Sequence, residues 1–202
     1  MPTMTLLGKQ TVGSAGASSV IFSSIPQTYT DLQLVLSVRG NASSYSGSGL
    51  DSTYLKFNGA TTNYSFRQAY GTGSSVGTTS GTILYTGVID GSSATSNTFS
   101  SHSILIPNYT SSNYKSASVD ATTEHNGTEA YTHLNTLLWS NTAAINSIEV
   151  VCGSSASFVQ YSTFLLYGIS SANRETGKTS PSATGGDIVV SDGTYWYHAF
   201  IN

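Results

Sequence analysis

Charge is what this sequence has least of. Lys and Arg together number 7, Asp and Glu 10, and charged residues make up only 8% of the 202. A surface that grips phosphate backbones needs clustered cations, so nucleic-acid binding by charge is excluded. No polybasic or amphipathic segment suits a membrane surface, and no apolar run approaches the length of a transmembrane helix. The single cysteine, Cys152, cannot close an intrachain disulfide. It stands in the apolar run "INSIEVVCGS" and reads as a small buried hydrophobe of a chain folding in a reducing cytoplasm. The opening "MPTMTLLGKQTVGSAG" lacks an apolar core long enough for a signal peptide, so the four sequons at Asn41, Asn63, Asn108 and Asn126 read as unmodified.

Sustained helical periodicity is missing as well, with "NTAAINS" the only hint of a helical turn. What is present is 38% hydrophobic residues and 13 tyrosines in a Ser/Thr/Gly-rich background. That is enough apolar material to bury a core and argues against disorder. The apolar residues come in short runs. In "DLQLVLSVR" (Asp31 to Arg39), Leu32, Leu34, Leu36 and Val38 alternate with Gln33, Val35 and Ser37, the period of a half-buried strand. Similar runs recur in "SSVIFSSI", "STYLKFNG", "NYSFRQAYG", "GTILYTGVI", "HSILIPNY", "YKSASVDATTEH", "AYTHLNTLLWS", "INSIEVVCG" and "STFLLYGIS". Asn58-Gly59 suits a tight turn, because both residues tolerate positive φ. Many short strands separated by turn residues predict an all-β fold, an antiparallel β-sandwich of jelly-roll-like type, with a C-terminal β-hairpin extension.

Three stretches are low in complexity. Gly40–Gly49 and Gly71–Gly81 read as exposed loops, and 171–186 as a polar linker. The expected organisation is therefore a sandwich body over 1–170, the linker, and an aromatic tail over 187–202. In the tail, Ile188 to Val190 and Tyr195 to Phe200 flank Asp192-Gly193, a turn pair, and make a hairpin rich in rings. A lone hairpin is marginal in water. Tyr195, Trp196, Tyr197 and Phe200 are therefore expected to dock on a partner, each large side chain contributing about 1.5–3 kcal/mol when buried.

Catalytic signals are weak. Gly73-Ser74-Ser75-Val76-Gly77 matches G-x-S-x-G in letters, yet no strand-to-helix context surrounds it. His102, His125, His133 and His198 lack metal-ligand spacing and read as polar strand or loop residues. Asp187 and Asp192 lack the alternating carboxylates of a calcium loop. The chain is read as no enzyme, with neither catalytic nor metal residues and no cofactor. Loop tyrosines are better candidates for contact with a glycan or protein, being apolar with a polar tip; Tyr45, Tyr70 and Tyr109 are the ones chosen.

In order along the chain, "VIFSSIPQTYTDLQLVLSVRG", "YLKFNGATTNYSFR", "ILIPNYTSSNYKSASVDATTEHNG", "LLWSNTAAINSIEVV" and "STFLLYGIS" resemble a β-sandwich module of tailed-bacteriophage structural proteins. Such modules occur in tail fibres and in small virion proteins, and the resemblance runs from about Val20 to Ser170. Separately, "ATGGDIVVSDGTYWYHAF" resembles the start of a Gly-rich module of phage fibre ends. The resemblance implies a virion protein assembled in the host cytoplasm. The leading expectation is a capsid decoration (cement) protein, a homo-oligomer such as a trimer bound to the major capsid protein or another virion protein. The alternative is a tail-fibre or receptor-binding module that recognises host surface glycans.

Overall fold

The alternation in Asp31–Val38 is realised in full: Leu32, Leu34, Leu36 and Val38 are buried beneath a strand whose other face is open. The same logic, repeated along the chain, builds the rest. The computed structural model describes residues 3–42, 49–124, 130–153, 156–170, 188–191 and 196–199. In chain order the strands are β1 (Thr3–Thr11), β2 (Ser19–Phe22), β3 (Asp31–Val38), β4 (Leu50–Phe57), β5 (Tyr64–Gly71), β6 (Val76–Gly81) and β7 (Leu84–Asp90). They continue as β8 (Ser100–Pro107), β9 (Lys115–Glu124), β10 (Ala130–Trp139), β11 (Ile148–Cys152), β12 (Thr163–Ser170), β13 (Ile188–Ser191) and β14 (Trp196–Ala199). No helix occurs among the described residues, so "NTAAINS" forms a loop rather than a helical turn; its Ile145 is fully buried.

Two antiparallel sheets face each other across the core. The larger has the order β1-β12-β3-β8-β9-β10-β5-β6 and the smaller β2-β11-β4-β7. Successive strands from β2 to β5 alternate between the sheets, as do β10, β11 and β12. Interleaving of this kind is how a jelly roll is wound from Greek keys. Here β8, β9 and β10 form a meander at the place where a minimal jelly roll has one strand, and β1 and β12 widen the large sheet.

The chain divides into two units, Met1–Ser171 and Ala172–Asn202. In the second, β13 pairs antiparallel with β14, from Ile188↔Ala199 to Ser191↔Trp196. Residues 192–195 between them, including the expected Asp192-Gly193 turn, lie outside the described residues, as does the linker 171–186.

Several details depend on particular residues. Asn58 and Gly59 adopt φ of 53° and 69°, and the turn passes the chain from the small sheet to the large one. The Asn58 side chain then accepts hydrogen bonds from the Asn146 and Ser147 backbone N–H groups and donates to the Ala144 carbonyl, holding the loop before β11. Strand β7 is buried at all seven positions, because it packs against β5, β8, β9 and β10 of the opposite sheet. Its pairing with β4 shifts register at Thr53/Tyr54, a bulge that leaves Thr86 unpaired; Thr86 Oγ1 then donates to the Thr53 carbonyl at 3.0 Å. Gly87 follows with φ of 135°, and a Cβ there would lie 3.3 Å from Ala121 Cβ on the facing sheet.

One stretch departs from expectation. Of the low-complexity segment Gly71–Gly81, the part Val76–Gly81 is the edge strand β6, paired with β5. Its poor apolar content reflects an edge exposed on both faces, while Thr and Val retain a preference for extended backbone. Strand β1 at the other edge passes unnoticed in the sequence, because it is mostly exposed and shows no alternation.

Candidate functional site

The tyrosines chosen as surface contacts do not meet at one place. Tyr109 is fully buried, and its hydroxyl donates to the Pro26 carbonyl. It follows Asn108, whose φ of 49° ends the extended run of β8, so the ring turns into the core instead of outward. Tyr109 is therefore a core residue and not a contact for glycan. Replacing it with Phe should cost about 1 kcal/mol through the lost hydrogen bond; equilibrium denaturation would read this, and a loss below a few tenths would remove the role assigned to the hydroxyl.

Tyr70 is half-buried on β5, its ring stacked on His133 with centroids 6.1 Å apart. Gly77 on β6 leaves room for it, since a Cβ at Gly77 would collide with the Tyr70 ring. Packing against His133 and β6 covers part of this ring and leaves part of it exposed. Tyr45 lies outside the described residues.

Ser75 of the G-x-S-x-G match lies in the tight connection between β5 and β6. Thr72 N–H donates to the Ser75 carbonyl at 2.9 Å, and the two hydroxyls are hydrogen-bonded at 2.9 Å. A strand, not a helix, follows, so the geometry is a hairpin connection and not a nucleophile elbow.

Two of the histidines are strand residues, as expected, and both face inward. His102 on β8 and His133 on β10 are 0% and 3% exposed. Registers place them in one inward row across the large sheet, Leu36–His102–Ala121–His133–Tyr70. Ala121 separates them, and Gly87 of β7 sits directly over the row. His102 Nε2 lies 3.2 Å from the Val88 carbonyl, and His133 Nδ1 lies 2.7 Å from Gln68 Nε2. Gln68 donates there, which places the remaining imidazole proton of a neutral His133 on Nε2. Burial pushes both imidazoles down to about 4; at His102 the Val88 carbonyl opposes this and the neighbouring His133 adds to it. Asn135, one row on, donates to the Tyr85 carbonyl at 2.9 Å. His102 Nδ1, His133 Nε2 and Asn135 Oδ1 are buried without hydrogen-bond partners. Of the other two histidines, His198 is a position of β14 and His125 lies outside the described residues.

A second polar group is buried where β4 pairs with β11. Cys152 is buried, its thiol 3.7 Å from Asp51 Oδ2, and burial together with that carboxylate pushes the thiol well above its ordinary range. Such a thiol stays protonated and inert. Asp51 is also raised, mainly by burial, against hydrogen bonds from the Ser52 and Ala42 backbone. Arg39 is held by the carbonyls of Ala94, Thr95 and Thr98, and Lys115 by those of Ser111, Asn113 and Thr142. These buried cations fasten loops. Among the described residues no three His, Cys, Asp or Glu side chains come together to hold a metal ion.

What remains is surface. In the tail, Val190 and Tyr197 pair directly across β13 and β14 and so share a face; they are 54% and 49% exposed. Trp196 is placed by its strand, while Tyr195 and Phe200 lie outside the described residues. On the body, Met4 and Leu6 of β1 are 56% and 50% exposed. The features together define a class: a jelly-roll sandwich with polar groups buried in its interior, and with exposed apolar side chains spread over the strand edges, the outer face of the large sheet, the loops and the terminal hairpin. No family model matches the chain, nor does any curated protein or solved structure.

Proposed function

We propose that this chain is a structural protein of a tailed-phage virion, a decoration protein on the capsid exterior, held there by its tail hairpin and by contacts between its own copies. The observation that carries the reading is the tail. It is a two-stranded sheet in a unit of its own, with Val190 and Tyr197 about half exposed on one face. A hairpin of that kind needs a surface to cover its rings. The low-charge β body supports the same reading, since surfaces that assemble edge to edge carry few desolvation penalties when few charges are buried. The partners are the major capsid protein or another virion protein, and the working location is the virion.

The test is quantitative mass spectrometry of purified particles. A copy number near that of the major capsid subunit supports decoration, a handful per particle favours the tail, and absence sinks the virion reading. Deleting Gly185 to Asn202 should weaken binding to particles roughly tenfold or more, the equivalent of one large buried side chain, and leave thermal unfolding of the body unchanged. Undiminished binding by the truncated chain would remove the docking role of Tyr195, Trp196, Tyr197 and Phe200.

The second reading, a tail-fibre module for host glycans, loses Tyr109 to the core and keeps the half-buried Tyr70. Tyr114 and Tyr161, 60% and 66% exposed, would join it. A host-glycan array with the chain presented multivalently separates this reading from the first.

A further inference from the structure

Four strands end the two sheets of the body, and each meets the problem of an unpaired edge differently. β7 is buried at every position. β2 is four residues long, too short to template much. β6 carries Gly77 and Gly81, which offer no side chain to bury and weaken pairing. β1 is nine residues long and, among the described residues, pairs on one side only, with β12.

The two halves of β1 differ. Register shifts between Leu6 and Gly8, so Leu7 is the extra residue of a bulge, and Lys9 follows on the outer face. A bulge and an edge lysine are devices that discourage a further strand. They protect Gly8–Thr11 and leave Thr3–Leu6 unprotected. That half, "TMTL", holds no charge, no proline and no glycine. Its Met4 and Leu6 are 56% and 50% exposed, and they pair with Ile169 and Tyr167 of β12. Leu165 and Val35 continue the same outer face, half-buried. The free edge is thus the rim of an apolar patch.

We propose that Thr3–Leu6 is a self-association edge, occupied by the same segment of a second copy running antiparallel across a two-fold axis. A copy of this chain fits for three reasons. The large sheet is antiparallel throughout, so a two-fold related β1 continues it without changing its pattern. An uncharged segment does not repel its own copy, whereas one with a lysine at its centre would. The two-fold also sets Met4 and Leu6 of each copy beside those of the other, joining two apolar patches into one strip. Four paired residues and two side chains from each copy fall short of the ~1,000 Å² of a stable interface. The association is therefore weak and governed by concentration, and local crowding of copies on a particle would complete it. This inference specifies the self-contact named under the proposed function and rests on that part alone, so a chain that dimerises yet is absent from particles separates the two.

The experiment is sedimentation equilibrium of the full chain over a wide concentration range, with amide hydrogen exchange at both ends of the range. The expected result is a rise from 21.1 kDa towards twice that mass, with the amides of Thr3–Leu6 gaining protection as concentration increases. Met4→Lys with Leu6→Lys should shift the midpoint by about tenfold or more and leave the thermal unfolding midpoint unaltered, since both sites are exposed. Val76→Lys on β6 should leave the association as it is. A single-chain mass throughout overturns the proposal, as does an unchanged midpoint in the double variant. Loss of association in Val76→Lys alone overturns it too, by placing the contact on β6. Should the double variant fold poorly, exchange on the unaltered chain decides: no gain of protection at Thr3–Leu6 overturns the proposal.

Discussion

Lowering the pH from 7.5 to 5 should cost the body about 4 kcal/mol of stability, divided between His102 and His133. Both imidazoles are neutral when buried, with values near 4 against the ordinary 6.5. Between those values the unfolded chain takes up protons and the folded one does not, so falling pH favours unfolding. Stability is complete above about 6.5, declines through the window, and levels off once the folded histidines also protonate. Each histidine accounts for about 2 kcal/mol by pH 5 and about 3 by pH 4. Against a total of about 5–15 kcal/mol for a domain, that loss would bring the body close to unfolding. Asp51 works the other way, because its raised carboxyl binds a proton more tightly folded than unfolded. The histidine share is the part of the slope between pH 7 and 5.5 that depends on the two imidazoles. Denaturant midpoints across that range would show it, and replacing both histidines with glutamine should flatten the slope. A flat profile in the unaltered chain would mean that these imidazoles are not buried and neutral.

Gly87→Ala should destabilise the body by about 2–5 kcal/mol, and Gly87→Val should prevent folding. Two costs combine: a side chain at φ of 135° occupies backbone space left almost wholly to glycine, and its Cβ meets Ala121 Cβ at 3.3 Å across the sheet interface. The row beneath cannot yield, since His102 and His133 stand on either side of Ala121. Gly59→Ala provides the control. Gly59 also has positive φ, of 69°, but nothing lies within 4 Å of the added carbon. It should cost only the left-handed strain, about 1–2 kcal/mol. The difference between the two substitutions measures the close approach of the sheets. Equal costs would show that backbone strain alone governs Gly87.

The strands with a clean period of two were legible from the residues themselves. Leu32 to Val38 announces β3, and the turn at Asn58-Gly59 announces itself by residue type. The edges were harder, for a physical reason: an edge strand exposed on both faces has no hydrophobic period. Thr3–Thr11 and Val76–Gly81 therefore resemble tail and loop in sequence. The interior row of histidines was in fact encoded in phase. His102 shares parity with Ile104 and Ile106, and His133 with Leu137 and Trp139, so each belongs to a buried face. Reading histidine as a polar type obscured that. Tyr109 shows the reverse: a tyrosine at a strand end suggests surface by residue type, while the turn at Asn108 carries its ring inside.

Strand β1 opens the chain of the body and β12 closes it, with Thr3 paired to Ser170. A ribosome adding about 5–20 residues per second needs on the order of ten seconds or more between the two. Throughout that interval Met4, Leu6 and the strand that carries them have no neighbour on either side. Pairing so distant in sequence also makes for slow closure once the chain is complete. β1 is thus among the last strands of the body to find its place, and crowded nascent chains expose it to one another before it does.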